Sequence, residues 1–122
     1  VIEEGKPLFV QIAEQVEDSI VDGSIAEEAQ APSTNELAAF YRINPATAAK
    51  GVNMLVDKGV LYKRRGIGMF VATGARELLL TERRNGFALR YVQPLLVEAR
   101  KIGLGPDDVA NLIRAGAEPA TP

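Results

Sequence analysis

The 122-residue chain has no cysteine and no histidine. The first absence excludes disulfide scaffolds, thiolate zinc sites and cysteine nucleophiles. The second removes the commonest general base, the Ser–His triad and almost every transition-metal site. No apolar run approaches the roughly 18–20 residues that a membrane span needs; Leu78-Leu79-Leu80 ends at Glu77 and Thr81. The first residues lack a basic-then-apolar secretory pattern, so a cytoplasmic protein is expected, and Val1 in place of Met predicts a trimmed start. Internal repeats and low-complexity segments are missing too. Catalysis would have to rest on carboxylates or lysine, and no paired set stands out. The chain is therefore expected to be no enzyme and to carry no cofactor and no metal.

The composition that remains is ordinary for a globular protein, 47% hydrophobic and 25% charged, and the length suits one small domain with a short appendage. A net charge of −2 disfavours a nucleic-acid binder, but its distribution does not. Residues 1–32 carry one Lys and eight acids, a balance of −7. Residues 33–72 carry six bases, Arg42, Lys50, Lys58, Lys63, Arg64 and Arg65, against Glu36 and Asp57, a balance of +4. The last fifty residues stand at +1. Association with a polyanion is local, so the basic middle matters more than the total.

Pro7 is expected at the first position of an amphipathic helix, with Leu8, Phe9, Ile12, Ala13, Val16 and Ile20 on one arc and Glu14, Glu17, Asp18 and Asp22 opposite. Gly23 closes it. Residues 24–32 read as irregular, with Ile25 as one strand-like residue at a sheet edge. Ser33 and Glu36 stand at capping-box spacing for a second helix, whose apolar side is Leu37, Ala38 and Phe40. After Tyr41-Arg42-Ile43, Asn44-Pro45 starts a third helix running to about Lys58, with Ala48, Val52, Leu55 and Val56 inward. Residues 60–63 and 69–71 read as strands around a glycine-containing turn, Arg64 to Gly68. A helix is expected from about Ala75 to Ile102, kinked or broken by Pro94, then a turn at residues 103–106, a last short helix opened by Pro106, and a frayed tail from Glu118 to Pro122.

Helix, helix, tight turn, helix and hairpin within about 65 residues is the order of a winged helix-turn-helix. The fold class expected is mainly α with a small β-hairpin: a winged helix-turn-helix DNA-binding domain over 1–72 and a short helical dimerisation region over 73–122. The third helix is then the groove reader. Small Ala46 and Thr47 admit its backbone to the groove floor, and Lys50 suits a phosphate. Helix N-termini with Ser33, Thr34 and Asn44 offer N–H groups and hydroxyls to phosphate oxygens. Lys63, Arg64 and Arg65 beside Gly66 and Gly68 form a wing suited to a narrow minor groove.

Plainer readings compete. Gly66-x-Gly68 is a weak nucleotide motif, since a dinucleotide fingerprint wants a third glycine where Val71 stands and a β-α-β unit around it. In isolation Lys63-Arg64-Arg65 is a solvated turn; after a helix-turn-helix it reads as a wing. The stripe Leu80, Phe87, Tyr91, Leu95 and Ile102 is core, either of the winged domain or of a second copy, since a fifty-residue tail builds little core alone. Burying four such side chains contributes about 6–12 kcal/mol before ordering costs. A homodimer also suits half-sites about 34–36 Å apart. Arg83, Arg84 and Arg90 are expected to pair with Glu82 and Glu98, with a small-molecule effector site lined by them and Tyr91 as the alternative; the sequence does not say whether an effector exists. The rival function is a winged-helix module that docks protein through its acidic first helix and apolar tail and does not bind DNA.

Residues 31–38, Ala-Pro-Ser-Thr-Asn-Glu-Leu-Ala, then 43–50, Ile-Asn-Pro-Ala-Thr-Ala-Ala-Lys, then Lys58-Gly59-Val60-Leu61 and Arg65-Gly66-Ile67-Gly68-Met69-Phe70-Val71, resemble the GntR family of bacterial transcription regulators. Pro7 to Ile12 matches as well. The short helical tail is similar to the YtrA subfamily. The resemblance implies a small dimeric repressor of inverted-repeat operators, often those of transporter operons, without a large ligand-binding domain. This chain departs from the pattern at four places. Asn35 and Ala49 stand where relatives often carry cations that touch DNA, Glu28 replaces the usual turn glycine, and Ala31 replaces a leucine. Asn35 is thereby left as the candidate for bidentate contact with adenine.

Overall fold

The computed structural model describes residues 5–117, so Val1 and the tail from Glu118 lie outside the described residues. The described chain forms α1 (Leu8–Val21), α2 (Thr34–Tyr41), α3 (Pro45–Asp57), β1 (Leu61–Arg64), β2 (Gly68–Val71), α4 (Ala75–Phe87), α5 (Gln93–Lys101) and α6 (Pro106–Ala117). A π-helical turn at Ala88–Val92 joins α4 to α5. It separates into two compact units, dividing between Thr81 and Glu82. The first unit runs past residue 72 because Ala75 and Leu79, in the opening turns of α4, are buried in its core.

That core is the inward arc of α1 (Ile12, Ala13, Val16, Ile20) against α3 (Ala48, Val52, Leu55), closed by Leu37 and Ala38 of α2 and by Val60, Leu61 and Val71 of the hairpin. The helices approach closely at Gly51, where a Cβ would lie 2.7 Å from the Phe9 carbonyl oxygen. Glu17 does not face solvent as its place on the polar arc predicts. It is 8% exposed and its carboxylate accepts from Lys58 Nζ at 2.7 Å. Phe40 is likewise not part of the buried side of α2. It is 79% exposed and meets Tyr41 edge-on at 4.9 Å, because the 3.6-residue period carries it past the arc of Leu37 and Ala38.

Pro7 caps α1 from one residue before the helix, its carbonyl accepting from the Val10 and Gln11 N–H groups. The strands sit one residue closer to the tip than expected: Arg64 pairs with Gly68, leaving Arg65, Gly66 and Ile67 as the turn. Ile25 takes no part in the sheet and packs against the core instead. The strand-like residue is Gln30, bridged to Phe70, with Ala31 N–H donating to the Met69 carbonyl at 2.8 Å and Val71 N–H to the Ala29 carbonyl at 3.0 Å.

Pro94 leaves the helix unbroken. The Gln93 N–H donates five residues back to the Ala88 carbonyl, so the chain is already widened where the proline lacks a donor and its ring crowds the preceding turn. In the second unit α6 begins at Pro106, and Asp108 accepts from the Gly105 N–H at 2.8 Å. Ala99 and Val109 are buried there, while Phe87, Tyr91, Leu95 and Ile102 are 45–64% exposed. Leu80, which belongs to the first unit, is half-buried.

Candidate nucleic-acid interface

The turn between α2 and α3 is built from local chemistry. Ser33 Oγ accepts from the Glu36 N–H at 3.0 Å, and the Ser33 N–H donates to Glu36 Oε1 at 3.0 Å, a complete capping box. Thr34 is the first residue of α2, half-buried, and Asn35 is exposed. The helix ends at Arg42, whose φ of +56° is left-handed, and the Ile43 N–H returns to the Ala38 carbonyl at 3.0 Å. Asn44 Oδ1 then accepts from the Ala46 N–H at 2.8 Å, and Pro45 leads α3.

This places the expected groove-reading residues unevenly. Ala46 and Lys50 are exposed on α3, Thr47 and Ala49 are half-buried, and Ala48 is fully buried. Thr47 therefore presents only part of its side chain. Lys50 holds its ammonium 4.1 Å from the centre of the Phe9 ring, a cation–π contact of about 0.5–1 kcal/mol at an exposed site. Its charge is thereby steadied on α3 by a residue of α1. The N-terminus of α2 is less hospitable to phosphate than expected. The Ser33 backbone N–H and hydroxyl hold the Glu36 carboxyl below the usual carboxylate range, which keeps a negative charge beside the dipole's positive end.

The wing cations do not share one surface. Strand alternation puts Lys63, paired with Met69, on the face of buried Leu61 and Val71, and puts Arg64 on the opposite face with Tyr62 and Phe70. The Arg64 guanidinium lies 4.7 Å from the Phe70 ring centre. Arg65 and Gly66 occupy the exposed tip, Gly66 at φ +78°. The Ile67 N–H closes the turn onto the Arg64 carbonyl at 3.0 Å. Lys58, counted in the basic middle, is spent on Glu17.

Three supports escape sequence reasoning. Gln30 Nε2 donates to the Ile67 carbonyl at 3.1 Å. Glu28, at φ +66°, accepts from the Tyr62 hydroxyl at 2.5 Å and from Thr73 Oγ1 at 2.6 Å. Those hydroxyls, Thr73 foremost, hold the Glu28 carboxyl below its ordinary range. Phe9 carries Lys50. The only advance signal is at position 28, where the resemblance places a glycine, the residue that most readily adopts positive φ.

The family model described as "Bacterial regulatory proteins, gntR family" matches residues 8–71, from α1 through β2. The chain is 24% identical over 113 residues to the uncharacterized HTH-type transcriptional regulator YhcF of Bacillus subtilis, covering 93% of this chain and 92% of that one. It is 26% identical over 98 residues to the HTH-type transcriptional repressor YtrA of the same organism, covering 80% and 75%. Against the transcriptional repressor NagR, also of Bacillus subtilis, it is 32% identical over 74 residues, 61% of this chain but 30% of NagR. Among solved structures, a transcriptional regulator from Oenococcus oeni superposes with a TM-score of 0.76 at 19% identity over 97% of both chains, a likeness of fold. The DNA-binding domain of AraR in complex with operator ORX1 superposes with a TM-score of 0.54 at 32% identity, covering 59% of this chain and 87% of that one.

Proposed function

Because the chain belongs to the gntR family of bacterial regulatory proteins, a family of DNA-binding transcriptional regulators, we propose that it is a homodimeric repressor that reads an inverted-repeat operator. The observation that carries this reading is the opening of α3: a proline-led helix end whose exposed residues are small Ala46 and the cation Lys50. A helix so headed enters a major groove without steric conflict, with Thr47 and Ala46 against base edges and Lys50 toward phosphate. Ser33, Thr34, Asn35 and Asn44 flank it from the cap positions, and Arg65, with Lys63 and Arg64 at the strand ends, meets the adjacent minor groove or its phosphates across Gly66 and Gly68. The operator-bound AraR domain supports DNA as the partner.

The second unit supplies the dimer in this reading. Phe87, Tyr91, Leu95 and Ile102 are apolar and exposed, a surface suited to a second copy. Two copies then present two α3 helices to two half-sites. Likeness to the YtrA subfamily extends the proposal to an operon that encodes a transporter.

Anisotropy titration of labelled duplexes from the protein's own upstream DNA tests the reading. Specific affinity should fall steeply between roughly 50 and 200 mM salt through counterion release. Arg65→Ala should weaken all duplexes by a similar factor and reduce the salt slope by about one, whereas Thr47→Ala should narrow discrimination between sequences. Salt-independent binding, or equal affinity for every duplex, contradicts it.

A further inference from the structure

Within the hairpin itself, the wing tip is closed by the Ile67 N–H donating to the Arg64 carbonyl at 3.0 Å. Arg65, Gly66 and Ile67 are all exposed, and the glycines at 66 and 68 have φ of +78° and +140°. Glycines in such conformations leave the free chain many alternatives, and a contact made by a mobile tip loses affinity to the ordering it requires. A second restraint arrives from outside the hairpin. Gln30 is bridged through its backbone to Phe70, and its exposed side chain reaches past β2 to donate from Nε2 to the Ile67 carbonyl at 3.1 Å. The same amide nitrogen occupies the space beside Gly68, 2.7 Å from where a Cβ would stand. Thus the missing side chain at Gly68 is what admits the amide to the turn, and the partners are 37 residues apart in sequence.

We propose that Gln30 is a positioning residue for DNA contact by the wing: its amide pins the Ile67–Gly68 backbone so that Arg65 meets the duplex already ordered. The assignment rests on the DNA-binding reading above. Gln30 is exposed and its bridge to Phe70 is made by backbone, so removal of its side-chain amide acts on the tip rather than on folding. A methyl group at position 68 displaces the flexible end of the Gln30 side chain and also strains a backbone at φ +140°, so Gly68→Ala breaks the same brace from the other side with a loss at least as large as that of Gln30→Met.

Four variants of the full chain test it: Gln30→Met, of like shape without the amide, Gly68→Ala, the double variant, and Arg65→Ala. Amide hydrogen exchange at Ile67 is measured without DNA, and affinity and thermal midpoint are measured for each. Gln30→Met is expected to keep the wild-type midpoint, speed exchange at Ile67 severalfold and weaken specific binding by about two- to tenfold, the range of one hydrogen bond. The double variant is expected to bind no more weakly than Gly68→Ala alone. Wild-type exchange and affinity in Gln30→Met, or losses that multiply in the double variant, overturn the proposal. A lowered midpoint with unchanged affinity overturns it too, assigning Gln30 to stability. If Arg65→Ala loses binding while Gln30→Met keeps it, the Gln30 role alone fails. If the wild type binds no duplex specifically, the DNA-binding reading fails and takes the role with it.

Discussion

At the scale of single residues, Glu28 shows how a local penalty is offset by distant partners. A non-glycine residue at φ +66° is disfavoured by contact of its Cβ with the backbone. Its carboxylate compensates by accepting from Tyr62 and Thr73, which tie the segment before α2 to β1 and to the entry of α4. Those bonds lower the Glu28 pKa below its ordinary 4.5. A depressed folded-state pKa contributes stability that is complete above the unfolded value and is lost as pH falls through the folded one. Glu28→Gln is therefore expected to lower the thermal midpoint at pH 7 and to flatten its decline below about pH 4.5, with the two proteins converging in acid. Thermal melts from pH 7 to pH 3 check this, and part of the decline should persist because Asp22 and Glu36 are held low in the same way. Position 28 was legible only as a departure from a glycine. Nothing in the sequence names Tyr62 or Thr73, which lie 34 and 45 residues away. The cap pairs Ser33–Glu36 and Asn44–Ala46, three and two residues apart, were readable because the chain geometry alone brings such groups together.

At the scale of elements, periodicity located every helix of the first unit and fixed the inward arcs of α1 and α3. It erred where an arc has edges: Glu17 is buried there by its pairing with Lys58, just past α3, and Phe40 is carried past the arc of Leu37 and Ala38. The α1–α3 packing depends on Gly51, where a Cβ would stand 2.7 Å from a backbone oxygen that has no rotamer to yield. Gly51→Ala raises helix propensity yet is expected to destabilise the protein by about 1–3 kcal/mol through overpacking. Urea unfolding measures the balance, and an unchanged or higher midpoint contradicts it. The wing was readable as a hairpin with its observed register, Lys63 opposite Met69, but its strands run one residue further toward the tip because Arg64 still pairs with Gly68. The three cations do not share one surface because strand alternation sets Lys63 and Arg64 on opposite faces. Pro94 was readable as a disturbance and not as a form, since a widened turn, a kink and a gap answer the same missing donor.

At the scale of the whole molecule, charge and apolar surface are laid out by region rather than averaged. The net −2 comes from the acidic N-terminal stretch, while α3 and the wing carry Lys50, Lys63, Arg64 and Arg65 with no acid between Lys63 and Gly74. Field near a duplex follows that local layout, which is why a mildly acidic protein suits a polyanion. The exposed apolar residues of the second unit point in the reading proposed here to a second copy, so DNA recognition becomes two-fold. The most direct measurement is selection of duplexes from a random pool by the wild-type protein, read by sequencing. The account predicts enrichment of an inverted repeat with half-site centres about 10 base pairs, or a multiple, apart. A pool that stays random, or that enriches only unpaired single sites, contradicts it.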